Sequence, residues 1–285
     1  MNMMYPTHMS KIRRMMEEHI KEIDVVIELL DARIPASSKN PDIDTLIAQK
    51  PRIMVLTNAD KADESTTTQW VDYFRQKNIF SLGMDLTQPG KKAGLPKVLD
   101  SIIKIMPKPL SKPIRIMVVG IPNVGKSSLI NMIAGRNVVA VGETPGTTRG
   151  RQWIAVRPAN GAPYSAFNGF DLMDTPGLLW PTLGYTDAGL QLAIIGAMSD
   201  ASLDKVALTE HLLIMLGDIT QTAIHNRYSV AIDTKNPRQI LTDFGESQRY
   251  KIKNGDTDLI YTANLLLDEF RRGTIGRISL ESPSD

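Results

Sequence analysis

The sequence predicts an α/β fold: a mostly parallel sheet with helices on both faces, followed by a mainly helical C-terminal domain. Two observations carry that prediction. Short apolar and β-branched runs alternate with helix-length amphipathic stretches as far as about residue 174, and such alternation implies right-handed crossovers between parallel strands. After about Gly184 the strand signals fade and helical spacing takes over.

Taken in chain order, Met9, Ile12, Met16, Ile20 and Ile23 fall on one side of an amphipathic helix, with Lys11, Arg13, Arg14, Glu17 and Glu18 on the wetter side. Strands are expected at 24–30, 53–56, 79–82, 114–119, 152–156 and 170–173, and helices at 42–49, 65–76, 95–106 and 126–134. The proline-rich stretch 107–113 reads as an extended surface connection, because proline restricts both itself and the residue before it. Beyond 184, the spans 190–198, 203–216 and 259–272 look helical, and Leu208, Leu212 and Leu216 share a core-facing stripe. The polar stretch 229–258 declares no element. The expected division is 1–183 for the sheet domain and 184–285 for the helical one.

Composition narrows the class. With 42% hydrophobic and 22% charged residues, the 285-residue chain is ordinary globular protein rather than disordered or fibrous. It lacks the apolar run of roughly 20 residues that a bilayer span needs. The absence of cysteine excludes disulfides, thiolate zinc sites and cysteine nucleophiles. His8, His19, His211 and His225 are scattered and form no metal-spaced cluster. The N-terminus has no apolar core of the secretory kind, so a soluble, cytoplasmic protein is expected. The net charge of +2 conceals a basic excess in the first two thirds of the chain, which suits a polyanionic partner without requiring one.

The strongest motif is Gly120-Ile121-Pro122-Asn123-Val124-Gly125-Lys126-Ser127, set between a strand and a helix. This is a complete P-loop. Its backbone N–H groups from Asn123 to Ser128 and the helix N-terminus cradle phosphates, Lys126 reaches the β/γ oxygens, and Ser127 ligates Mg²⁺. Downstream, Asp171-Leu172-Met173-Asp174-Thr175-Pro176-Gly177 ends a strand in Asp-x-x-Gly. There Asp174 can hold Mg²⁺ and the Gly177 N–H can sense a γ-phosphate. Between the two lies a loop of switch-like composition with Thr147 and Thr148, one of which would complete the Mg²⁺ shell. A third motif, Thr57-Asn58-Ala59-Asp60, follows the strand at 53–56. A carboxylate there can accept from both guanine N1–H and N2–H₂. The overlapping Asp60-Lys61-Ala62-Asp63 offers a shifted register; strand position favours Asp60, and a helix cap is the other use for either aspartate.

In most GTPases the base-reading motif follows the P-loop and Asp-x-x-Gly; here it precedes them. A circular permutation preserves the site, since the motifs meet at the C-terminal ends of the strands. With this order, the chain resembles the circularly permuted GTPases of the ribosome biogenesis GTPase A (YlqF) family. The resemblance also rests on Tyr5 to Arg14, on Asp31-Ala32-Arg33-Ile34-Pro35 followed by Ser37 to Pro41, on Asp174 to Pro181, and on the closing Phe270 to Arg277. Departures are Thr57-Asn58 in place of Asn-Lys, Thr7 in place of glycine, and a longer connection over 158–169.

The resemblance implies a circularly permuted P-loop GTPase domain that binds GTP/GDP with Mg²⁺. It implies an assembly factor for the large ribosomal subunit, bound to the maturing particle in the GTP state and facing its rRNA with both domains, as a monomer. Family spacing selects Thr148 over Thr147. The glutamine that orients water in many GTPases is replaced by Leu178, which leaves His8 as the histidine that could serve instead. Asn123 is similar to the asparagine that helps some GTPases hold K⁺. Two other readings stay open: a P-loop ATPase or nucleotide kinase without guanine selectivity, and a nucleotide-binding, ribosome-docking module with little hydrolysis.

Overall fold

A computed structural model describes residues 7–47, 50–86, 94–106, 112–140, 152–157, 168–181, 183, 186–219, 225, 228 and 236–283. The first helix, α1 (Thr7–His19), is followed by a single tight turn over Ile20–Glu22. The sheet then alternates with helices: β1 (Val25–Asp31), α2 (Pro41–Ile47), β2 (Arg52–Thr57), α3 (Glu64–Gln76), β3 (Phe80–Gly83) and α4 (Leu95–Ile105). β4 (Ile114–Gly120), α5 (Lys126–Ala134), β5 (Gln152–Val156) and β6 (Phe170–Asp174) complete it. Among the described residues the later elements are helices: α6 (Asp187–Ile194), α7 (Lys205–Ile219), α8 (Pro237–Ser247) and α9 (Leu259–Arg272).

The strand order is β3-β2-β1-β4-β6-β5, with every pairing parallel except β5 on β6. Central β1 is buried along its whole length, so apolar residues occupy both of its faces. The period of two divides them. Val25, Ile27 and Leu29 join Ile53, Val55, Ile116 and Val118 against Val98, Leu99 and Ile102 of α4 and Leu129, Ile130 and Ile133 of α5. On the other face Val26, Met117, Val119 and Met173 meet Met16 of α1 and Ile43 and Ile47 of α2. Leu30, Met54 and Leu56 meet Trp70, Val71 and Phe74 of α3. Each such fully buried aliphatic side chain contributes roughly 1.5–3 kcal/mol.

The first of these clusters continues without a break into Leu192 of α6, Leu208, Leu212 and Leu216 of α7, Phe244 of α8 and Leu266 and Phe270 of α9. The first helix ends at His19, short of Ile20 and Ile23, and two later elements differ from the sequence reading. The helix expected at 190–198 lies at Asp187–Ile194, capped by the Thr186 hydroxyl on Gly189 N, and the chain turns at Gly196 with φ +81°. The undeclared stretch 229–258 contains α8, whose Asn236 side chain caps Gln239 N ahead of Pro237. The expected connection over 107–113 lies largely outside the described residues. No described helix is long and apolar enough to cross a membrane, and no described group of acidic or histidine residues could hold a metal ion by itself.

Candidate nucleotide-binding site

Because β1, β2, β4 and β6 run parallel, their carboxyl ends lie along one edge of the sheet, with Asp31 opposite Thr57, Leu29 opposite Gly120 and Val118 opposite Asp174. The order of strands reverses between β1 and β4, which is where open α/β sheets bind ligands. Motifs far apart in sequence therefore share one rim.

At the end of β4 the chain must turn back sharply into α5. Gly120 and Gly125 take φ of +150° and +100°, and Asn123 takes +60°, conformations that glycine and asparagine adopt at low cost. A Cβ on Gly120 would come within 2.6 Å of the Leu29 carbonyl. Lys126 starts α5 but folds back over the loop, its Nζ donating to the Ile121 carbonyl at 2.7 Å and to that of Gly120 at 3.3 Å. Burial pushes this ammonium down to about 8, against the opposing pull of Asp174. Ser127 Oγ stands 3.3 Å from Asp174 Oδ2, donating to it. Two hard oxygen groups so placed at the mouth of a P-loop suit Mg²⁺. Gly177 passes so close to the P-loop that a Cβ would sit 2.4 Å from Pro122 N; no other residue type fits there.

Leu178 is 1% exposed and packs in the cluster with Met16, Met117, Val119 and Met173. Its N–H donates to the Gly120 carbonyl at 3.3 Å, and its carbonyl accepts from Asn40 Nδ2 at 3.1 Å. The residue in the glutamine position thus points into the core beneath α1. Position 8 lies in the first turn of α1, and the His8 side chain is outside the described residues. Thr148 and the whole loop around it are also outside them. Asn123 donates its Nδ2 to the Gly196 carbonyl at 2.8 Å, which ties the P-loop to the end of α6.

At the end of β2 the Thr57 hydroxyl donates to the Leu30 carbonyl at 3.1 Å. Asn58 holds φ +55°. That backbone conformation gives a reason for asparagine where the related motif carries lysine. Its Nδ2 donates to Asp31 Oδ2 at 2.7 Å, and its Oδ1 accepts from Lys61 Nζ at 3.0 Å. Asp31 is itself gripped by Arg33 through two bonds of 2.9 and 2.8 Å. Burial, the largest single effect, pushes the Asp31 carboxyl up, but the Arg33 guanidinium and the bonds from Arg33 and Asn58 together outweigh it and hold that carboxyl below its usual range. Asp60 is exposed on the rim; partial burial and nearby Asp85 raise its carboxyl. Asp63 instead caps α3, accepting from Thr66 N at 2.7 Å.

Sequence reasoning gave no role to the closing segment, yet that segment covers this same loop. Arg277, Ser279 and Glu281 all bond to it or to the loop after β1. The only signal was the resemblance of Phe270 to Arg277 to a family motif, which carries no geometry.

A β-strand, P-loop and helix beside an Asp-x-x-Gly strand end, with a carboxylate loop on the adjoining strands, is the architecture of a P-loop GTPase, here in permuted order. A model of the 50S ribosome-binding GTPase family matches residues 115–243. The chain is 37% identical to ribosome biogenesis GTPase A of Priestia megaterium over 99% of its own length and 96% of that protein's. Against the Thermotoga maritima protein of the same name it is 28% identical, over 99% and 94%. The solved structure of GNP-bound YlqF from T. maritima superposes with a TM-score of 0.67, at 24% identity, covering 96% of this chain and 99% of that one. The chain belongs to the ribosome biogenesis GTPase A family.

Proposed function

We propose that this GTPase acts as a monomer on the large ribosomal subunit, binding the maturing particle and its rRNA in the GTP state and leaving after hydrolysis. The convergence of the four loops on one rim is the observation that carries the reading, because it lets one nucleotide touch both halves of the permuted chain. Asn123, Val124, Gly125, Lys126, Ser127 and Ser128 hold the phosphates, while Thr57, Asn58 and Asp60 form the base side. With Asp63 committed to its cap, Asp60 is the carboxylate left to face guanine.

Ser127, Asp174 and Thr148 are the Mg²⁺ side, and bound Mg²⁺ would neutralise charge developing on the β/γ oxygens. Lys126 leaves its two loop carbonyls for the phosphates, trading neutral acceptors for charged ones. Gly177 N–H meets the γ-phosphate, since its close approach to Pro122 fixes where that donor lies. Asn123 Oδ1 is the group that would face K⁺. With Leu178 turned inward, water orientation falls to His8. Support comes from α1: Met9, one residue on, packs against the same cluster that takes in Leu178.

Lys11, Arg13 and Arg14 offer phosphate contacts to rRNA; Arg13 and Arg14 now pair with Glu17 and Glu18 at 3.2 and 3.0 Å on the surface of α1. Such exposed pairs are worth less than about 1 kcal/mol and yield readily to a polyanion. Sedimentation with purified large subunits tests the reading. Pelleting should be stronger with a non-hydrolysable GTP analogue than with GDP and should weaken as salt rises; equal pelleting with both nucleotides would refute the switch.

A further inference from the structure

The loop proposed to read the base is held from the far end of the chain. α9 stops at Gly273, in the left-handed region at φ +75°, where a Cβ would come within 2.9 Å of Lys61 Cγ. From there the tail runs across residues 59–63. Arg277 donates to the Ala59 carbonyl at 3.1 Å and to the Ala62 carbonyl at 2.9 Å, and pairs with Glu64 at 3.0 Å. Ile278 N donates to the Lys61 carbonyl at 2.9 Å, and Asp63 N donates to Ser279 Oγ at 3.2 Å. Leu280 N donates to the Arg33 carbonyl at 2.8 Å. The Glu281 carboxylate accepts from Ala36 N at 2.7 Å and Ser37 N at 3.1 Å, while its backbone carbonyl accepts from Trp70 Nε1 at 3.2 Å.

These contacts leave a pattern. The tail bonds to Ala59, Lys61, Ala62 and Asp63, and Asp60 between them is exposed on the rim. Ala59 and Ala62 have no side-chain polar group with which to fix their own backbone. Arg277, with its rigid planar fork, spans both carbonyls at once.

We propose that Arg277 is a positioning residue for base recognition: by fixing the backbone on both sides of Asp60, it aims that carboxylate, so that guanine selectivity is set by the C-terminal tail. The inference rests on the reading of Asp60 as base reader. Two donors on one edge of guanine must meet two oxygens of one carboxylate, and a bidentate contact tolerates only about 0.5 Å and 10–20° of error. Lys61 N and Ala62 N donate to the Asn58 carbonyl at 2.9 and 3.2 Å, bonds that stay within the loop. The tail and the Arg33 contacts to the Phe270 and Arg271 carbonyls, at 3.5 and 3.3 Å, join it to the end of α9.

The test uses the full chain and the affinities of mant-GDP and mant-ADP for wild type, Arg277→Ala, Arg277→Lys, Asp60→Asn and the Asp60→Asn/Arg277→Ala double variant. Arg277→Ala should weaken mant-GDP about tenfold and leave mant-ADP unchanged, a loss in guanine selectivity worth one decade of binding constant. Lysine, with one point of contact, should recover part of it, and turnover at saturating GTP should stay at the wild-type value. In the Asp60→Asn background, Arg277→Ala should change mant-GDP affinity by less than about twofold, because groups that act through one another are not additive. Equal losses for both nucleotides, or additive effects in the double variant, would overturn the proposal. Should Arg277→Ala fail to fold, an unchanged nucleotide preference in Arg277→Lys overturns it equally. If Asp60→Asn weakens mant-GDP while both Arg277 variants match wild type, only the positioning role falls. If Asp60→Asn has no effect, the base-reading assignment falls and takes this proposal with it.

Discussion

Asp60 and Asp63 are three residues apart, and their surroundings separate their uses. Asp63 accepts the Thr66 N–H at 2.7 Å and holds the first turn of α3, a cap worth about 0.5–2 kcal/mol. Asp60 stays on the rim, at the mouth of the site. Asp60→Asn places an amide donor against a base that also donates, so GDP affinity should fall and XDP affinity should rise. By analogy with base-edge recognition, one bidentate contact discriminates by about 1–3 kcal/mol. Asp63→Asn should leave the GDP-to-XDP preference alone; a change there with none at Asp60 would show that the shifted register is the working one. Nucleotide titrations of the two variants settle it. The sequence favoured Asp60 on strand position and offered a helix cap as the other use for either aspartate; the structure gives the cap to Asp63.

At the scale of elements, α1 and the Gly177–Leu178 corner form one unit. Leu178 is buried with Met16 and Met173, so restoring the glutamine found in many GTPases would place a carboxamide in the core. Leu178→Gln should therefore leave basal turnover no higher and lower the unfolding free energy by about 1–3 kcal/mol, the cost of a poorly satisfied buried polar group. Chemical denaturation and a turnover assay check both parts; faster hydrolysis with unchanged stability would mean that the side chain points to the nucleotide. The strands were legible in the sequence because a sheet covered on both faces needs continuous apolar runs such as Ile53–Leu56, bounded by the polar Arg52 and Thr57. α8 was not. Its core face is carried by Ile240, Leu241 and Phe244 amid polar residues, and its clearest signature is local, an asparagine cap followed by proline. The P-loop and Asp-x-x-Gly were readable as contiguous motifs with fixed chemistry. The tail over the base loop was hidden because Arg277 bonds to Ala59 and Ala62 across more than two hundred residues of chain, a distance that no local pattern encodes.

Over the whole molecule, permutation places the base loop and α1 before the P-loop, and the helical part after it. α9 and the tail then return to the beginning, through Arg33, Lys61 and the Ala59–Asp63 loop. The P-loop is tied to the same region: Asn123 bonds the Gly196 carbonyl, and Arg271 of α9 bonds the neighbouring Ile194 and Ala193 carbonyls at 2.9 Å each. A particle that grips the helices thus grips elements in contact with both ends of the nucleotide site, and any effect of nucleotide on particle binding must be matched by the reverse effect. In the function proposed, this rim hydrolyses GTP under control of the large subunit, with His8 orienting water from the first turn of α1. Multiple-turnover hydrolysis by wild type and His8→Ala, with and without purified large subunits, tests it most directly. Subunits should accelerate the wild type, and His8→Ala should lose most of that acceleration, about 10²-fold or more for a positioned acid–base group, while binding nucleotide and subunit as before. A wild-type rate indifferent to subunits, or a His8→Ala rate stimulated as strongly as wild type, would contradict it.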